Sequence, residues 1–531
     1  MSAPVADRRT TGAWARWLPL VPLTAAVTVL AATGVLPTWP GLVHLVALPP
    51  LDLFGDLRVL LTTTTGPVSF GFLLAAVLAV RVVVLALMTG GLTRDRVVLA
   101  AVFYGILLPP TLLAAESVYI AGALLYSRLY WGALAAVAVL FVLGAAVPWS
   151  VRGDGRARLR DGAARAWRAG LRVEVLVPYG AAVVAIGALA HLFPQLAVAL
   201  VPVSALATGA AATALSRPAR PGGRRRLAAA AAVLVLVAWV WVGSRTEAEP
   251  EAAVPREGSI MLMSGIDSHS GMGDIFRSRT DLLGYDCAST YYFSYAGAGD
   301  GQPQGLARCP IRTGAPYTAA DTERPMEELV AAFAEQTADL PRPLVVAGHS
   351  QGAWVAWEAV ATGAAPRVDV LVLVGPFQES TGGYRPPGAP GPGRPASDLL
   401  HLLVPLSRAV DFTFAPRSPA GYELLGTTRA PARIMGTPLP EDTRSLSITS
   451  ATDLPLMPSG RRLPVDRNAC PLRAPHPYLA TTGGYYVEVN RFLDGDPGLD
   501  CPAFRDWGVP LSTPFSAPPL LVEPEPGPPG R

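Results

Sequence analysis

VVAGHSQGAW, residues 345–354, is an apolar run that stops at Gly348-His349-Ser350-Gln351-Gly352 and then continues as a helix-like stretch. A G-x-S-x-G pentapeptide is weak evidence alone, since chance places one in roughly a quarter of chains this long. Its surroundings decide the matter. PLVVAGH (343–349) reads as a buried strand, and QGAWVAWEAVATG (351–363) as a helix closed by glycine. On such a strand-to-helix turn, flanking glycines admit a sharp backbone without side-chain clash. The Ser350 hydroxyl is then lifted above the sheet and the Gln351 N–H is left free.

Working outward, SIMLMSG (259–265) predicts another buried strand, running into the glycine loop IDSHSGMGD. CASTYYFSYAG (287–297), VDVLVLVGP (368–376) and SLSITS (445–450) predict three more, with helices over 321–338 and 479–494. Short apolar strands alternating with helices imply a mostly parallel sheet covered on both faces. Its chemistry belongs at the carboxyl ends of the strands.

Serine is a weak nucleophile and needs a base that is itself oriented by an acid. Downstream of Ser350 the only histidines are His401 and His476. Asp453, in SITSATDLPLMPSG, follows the fifth strand, and His476, in APHPYL, comes before the last helix. His401 precedes that strand. Asp442 and Asp466 are the competing carboxylates nearby. The order Ser350, Asp453, His476 with GHSQG resembles the α/β-hydrolase superfamily, as in lipases, esterases and cutinase-like enzymes. The likeness covers about 258–495 and leaves the N-terminal half outside. It implies a second oxyanion donor in the loop after the first strand, assigned to the Ile266 N–H, although SGIDS departs from the more usual His-Gly there. It also implies that the 68-residue stretch 377–444 is a cap or lid, with DLLHLLVPL (398–406) as an apolar lid helix.

The 531 residues are 51% hydrophobic, with mean hydropathy +0.35. That is too apolar for an ordinary soluble protein. The excess lies in residues 1–243, which predict a multi-span α-helical membrane domain. Seven spans are read, over 17–36, 68–90, 97–125, 128–149, 173–193, 195–216 and 227–243. Residues 41–61 carry Pro49, Pro50, Asp52 and Asp56 and are read as interfacial. Residues 244–257 form a polar linker, 258–513 the α/β domain, and 514–531 a disordered Pro-rich tail.

Of the 20 arginines in residues 1–243, 17 fall on one side of the seven-span arrangement; the exceptions are Arg58, Arg81 and Arg128. Positive loops stay in the cytoplasm, so the amino terminus is expected inside and everything after residue 243 outside the cell membrane. Arg81 and Glu116, ionisable groups within spans, are read first as a snorkelling arginine, a helix-end glutamate or a structural pair. The four cysteines, Cys287, Cys309, Cys470 and Cys501, all lie in the half assigned to the outside, and sequence-local pairs 287–309 and 470–501 are expected. Without a C-x-x-C pair, zinc is not expected, and no metal or organic cofactor is implied. The basic pI of 8.7 reflects membrane loops rather than nucleic-acid binding. The partners expected are an ester or lipid-like substrate and the lipid bilayer; nothing in the sequence names a protein partner. Acyl transfer through the same triad, and a non-catalytic membrane sensor or transport-associated protein with a hydrolase-fold binding domain, are the alternatives.

Overall fold

The computed structural model describes residues 17–151, 159–218, 250, 253–377, 388–407, 418–425, 430–456, 463–501 and 508–519. The N-terminal half is helical: α1 (Leu20–Ala32), α2 (Leu51–Thr63), α3 (Pro67–Thr89), α4 (Arg94–Leu124), α5 (Ser127–Gly144), the short α6 (Val147–Ser150) and α7 (Leu159–Arg168), α8 (Val173–Leu192) and α9 (Leu200–Ser216). Among the described residues, four stretches are long and apolar enough to cross a membrane: Pro67–Thr89, Arg94–Gly122, Ser127–Ser150 and Gly170–Leu192. Pro109 and Pro110 both sit inside one continuous α4.

The first and sixth expected spans are shorter than read. α1 has 13 residues and α9 has 17, so at 1.5 Å per residue they reach roughly 20 and 26 Å, less than a hydrocarbon core of about 30 Å. The chain turns at Gly34 after α1, and a 3-10 turn at Pro194–Leu196 delays the start of α9. The seventh expected span, 227–243, lies outside the described residues.

Residues 41–61, read as interfacial, are buried within the helical half. They form a 3-10 helix, Pro40–Val46, and then α2, and every residue from 41 to 62 is buried. Their acidic groups are met inside the helical half. The Arg81 guanidinium donates to both carboxylate oxygens of Asp56, at 2.6 and 2.7 Å, and to the Leu45 carbonyl at 2.8 Å. The Tyr104 hydroxyl donates to Asp52. Arg81 is therefore a structural ion-pair residue, which is how charge is tolerated at such depth. Glu116 is buried as well, and its carboxylate has no hydrogen-bond partner among the described residues.

The second half is an α/β domain. Six parallel strands, β1 (Ser259–Met263), β2 (Thr290–Tyr292), β3 (Leu344–His349), β4 (Val368–Val374), β5 (Arg444–Ile448) and β6 (Arg467–Asn468), lie in the order β2-β1-β3-β4-β5-β6. Parallel strands need crossover segments. Here α10 (Met326–Thr337) and α11 (Gln351–Ala361) flank β3, and α15 (Gly483–Leu493) follows the sheet. β1 is buried on both faces, as its unbroken apolar run requires. β2 is shorter than the eleven-residue stretch read for it, because the Asp286 carboxylate caps a turn through the Ser289 N–H just before it.

Residues 377–444 separate β4 from β5 and contain α12 (Arg394–Ser407), α13 (Pro419–Leu425) and α14 (Ala430–Met435). α12 covers the expected apolar lid helix and packs against α2, α3 and α4 of the helical half. A short C-terminal helix, α16 (Gly508–Ser512), packs on α8, and the Tyr130 hydroxyl donates to the Ser512 carbonyl at 2.5 Å. Beyond it Pro514 is buried and the Phe515 ring lies 4.6 Å from the His44 ring. The stretch read as a tail therefore starts as packed structure through residue 519; 520–531 lie outside the described residues.

Both expected cysteine pairs form, Cys287 with Cys309 and Cys470 with Cys501. The second closes a loop that contains His476.

Candidate active site

Ser350 sits between β3 and α11 with φ 55° and ψ −118°. An L residue adopts that region only at a cost of about 1–3 kcal/mol, which the surrounding structure must impose. The strain falls on the serine itself. Its glycine neighbours serve a different purpose, close approach. A Cβ on Gly348 would stand 2.6 Å from the Gly352 carbonyl oxygen, and one on Gly352 would stand 2.6 Å from that of Ser264. Gly265 likewise admits the β1 loop against Ser350, since its Cβ would meet the Ser350 Cβ at 2.9 Å.

Asp453 and His476 come together as the chain order predicts. Asp453 lies in the turn after β5 and is fully buried; its Oδ2 is 2.9 Å from Nδ1 of His476. The His476 side chain is 11% exposed. Gly375, with φ 65°, makes room for the ring, because a Cβ there would approach His476 Cε1 to 2.7 Å. His476, Ser350 and Gln351 line one cavity of about 400 Å³, together with Ile266 and His349. Ser350 Oγ and the imidazole are not hydrogen-bonded to each other in this state; such bonds commonly tighten only around a substrate.

The competing carboxylates are occupied elsewhere or remote. Asp466 accepts the Ser445 N–H at 2.7 Å and the Ser445 hydroxyl at 3.1 Å, holding the start of β5. Asp442 is exposed before that strand. His401 lies on α12 and does not line the cavity. Gln351 and Ile266 both line the cavity, and no described acceptor takes either N–H. Among the described residues no group of three or more His, Cys, Asp or Glu is arranged to hold a metal ion.

Sequence reasoning took His349 only as part of the turn. Its Nε2 donates to the His476 carbonyl oxygen at 2.9 Å, and the two rings lie 4.8 Å apart. Enclosure, then the neighbouring His476, push its pKa down from 6.5 to about 3. The unfolded chain takes up this proton near pH 6.5 and the folded chain does not. The associated stability is full above 6.5 and falls as pH drops from 6.5 towards 3. The loss is up to about 1.4 kcal/mol per pH unit, reduced where water reaches the ring. Denaturant midpoints at pH 5 and pH 7.5 should therefore differ less in His349→Gln than in the unchanged protein. An equal difference in both would assign the acid sensitivity elsewhere.

Four further cavity residues come from the junction of α4 and α5: Leu125 and Tyr126 between the helices, Ser127 and Arg128 at the start of α5. No local pattern marks them, since they stand more than 200 residues before Ser350. Comparison of the chain with protein-family models, with curated proteins and with solved structures gives no match.

Proposed function

We propose that this protein is a membrane-anchored serine hydrolase, built on an α/β-hydrolase fold, that cleaves a carboxylic ester through an acyl-enzyme. One observation carries the reading: a strained serine on a strand-to-helix turn shares a cavity with a histidine whose far nitrogen is held 2.9 Å from a fully buried aspartate. A domain that only bound a ligand would have no use for that combination of backbone strain and buried charge.

In this reading Ser350 Oγ attacks the ester carbonyl carbon while His476 Nε2 takes the hydroxyl proton. Asp453 keeps the proton on Nδ1 and stabilises the imidazolium that forms. The Gln351 and Ile266 N–H groups hold the oxyanion, each contributing about 3–4 kcal/mol in the transition state. Collapse expels the alcohol, which receives the proton from His476. Water, deprotonated by His476, then attacks the acyl carbon; the imidazolium returns that proton to Ser350 Oγ as the acyl bond breaks and the acid leaves. Full-length protein should release acid from a short-chain aryl ester with an initial burst of about one alcohol per molecule. Absence of both burst and turnover would favour the binding-domain reading.

The arginine distribution and the disulfides support placing the catalytic half outside the cytoplasm. A reporter fused after residue 243 is then active only on the outer side. Activity on the inner side would reverse the orientation.

A further inference from the structure

The cavity over Ser350 is not made by the α/β domain alone. Its wall includes Leu125 and Tyr126 of the α4–α5 turn and Ser127 and Arg128 at the start of α5. That turn joins two of the stretches long and apolar enough to cross a membrane, one ending at Gly122 and the next starting at Ser127. The cavity wall therefore takes in the adjoining ends of two helices of membrane-crossing length, and helix ends of that kind meet the bilayer surface.

The turn is fastened to the loops that carry the acid and the base. Trp131 Nε1 donates to the Thr452 carbonyl at 3.2 Å, one residue before Asp453. The Arg128 guanidinium donates to the Tyr478 hydroxyl at 3.2 Å and lies 5.3 Å from that ring's centroid, two residues after His476. The cap is fastened to the helical half too: the Gly393 N–H donates to the Thr64 carbonyl at 3.2 Å, just before α12. From the cap, α13 sends Leu424 into the cavity.

Leu125 is the telling residue. It sits at φ 50° and ψ 34°, the left-handed region, yet is a leucine with only 6% of its surface exposed. Glycine or asparagine would occupy that position with less strain. Strain retained in a bulky residue points to a use for its side chain. Leu125 lines the cavity alongside apolar residues that include Ile266, Met272, Ile275, Phe377 and Leu424, and it belongs to the same buried apolar cluster as Ile275, Phe377 and Leu424.

We infer that the cavity is a composite acyl-chain site, shared between the two halves, and that the substrate is a long-chain acyl ester presented at the bilayer surface. This rests on the ester-hydrolase reading above. The ester carbonyl would sit at Ser350, and the chain would lie along the apolar wall that Leu125 completes. A water-soluble, short-chain ester would leave that wall unused.

The test compares kcat/KM for four-carbon and twelve-carbon nitrophenyl esters, using full-length protein in lipid nanodiscs. Leu125→Gly relieves the backbone strain and deletes the side chain. Leu125→Asn suits the same backbone and keeps the bulk but makes it polar. Val139→Ala, at an exposed position on α5, is the control. Both Leu125 variants should lower the twelve-carbon to four-carbon ratio by about tenfold, the scale set by one buried apolar side chain. The control should not change it. A fluorophosphonate probe on Ser350 reports whether the site remains assembled in each variant. Retained labelling with an unchanged ratio in both Leu125 variants would overturn the composite site while leaving the hydrolase reading intact. Absence of labelling in the unchanged protein would overturn the ester chemistry itself, and this inference with it.

Discussion

Ser350→Ala is expected to lower kcat for a short-chain aryl ester on the order of 10⁶-fold, the loss seen when the nucleophile of a triad is removed. The alanine methyl occupies the space of the Cβ and leaves the oxyanion amides and the cavity wall in place. It removes only the atom that forms the acyl bond. The residual rate is then what two N–H donors and binding supply without covalent catalysis. His476→Ala should cost nearly as much, because the three groups act as a unit and their losses do not add. Steady-state turnover together with the pre-steady-state burst checks this. Near-normal turnover by Ser350→Ala would remove the hydrolase reading altogether.

Asp453→Asn carries the second large effect, a loss on the order of 10⁴ in kcat. The carboxylate is fully buried and its one short side-chain contact is to His476 Nδ1 at 2.9 Å. Asparagine is nearly the same shape. Presenting its NH₂ to that nitrogen, however, would require the wrong imidazole tautomer, with Nε2 protonated and unable to accept the Ser350 proton. It also leaves the imidazolium without a counter-charge. The same change at Asp466 should disturb stability rather than chemistry, since that carboxylate holds the Ser445 amide and hydroxyl. At exposed Asp442 it should do little. Collapse of turnover in Asp466→Asn, with Asp453→Asn near normal, would reassign the acid.

The parts of this fold that announce themselves in sequence are the ones whose signals are local. β1, β3 and β4 are apolar runs bounded by glycine or proline, β5 alternates serine with Leu446 and Ile448, and the serine turn follows directly from β3. The order of Ser350, Asp453 and His476 needed only that the strands be placed correctly. β6 was not legible, because Arg467 and Asn468 carry no apolar pattern and pair with β5 only through register. The burial of residues 41–62 was hidden for an electrostatic reason. Asp52 and Asp56 look like groups that must face water until Arg81 and Tyr104 are seen beside them. Least legible was the membrane half's share in the site. The bonds from Trp131 to Thr452 and from Arg128 to Tyr478 span 321 and 350 residues, distances over which hydropathy and spacing say nothing.

The central claim is that Ser350 is an activated nucleophile. Its most direct test is treatment of the full-length protein with a fluorophosphonate, followed by peptide mapping of the adduct. An activated serine displaces fluoride from the phosphorus, whereas an ordinary hydroxyl does not react on the same timescale. The account predicts one adduct per chain, on Ser350, with labelling greatly slowed in His476→Ala. No adduct, or an adduct at another serine with Ser350 unmodified, would contradict it.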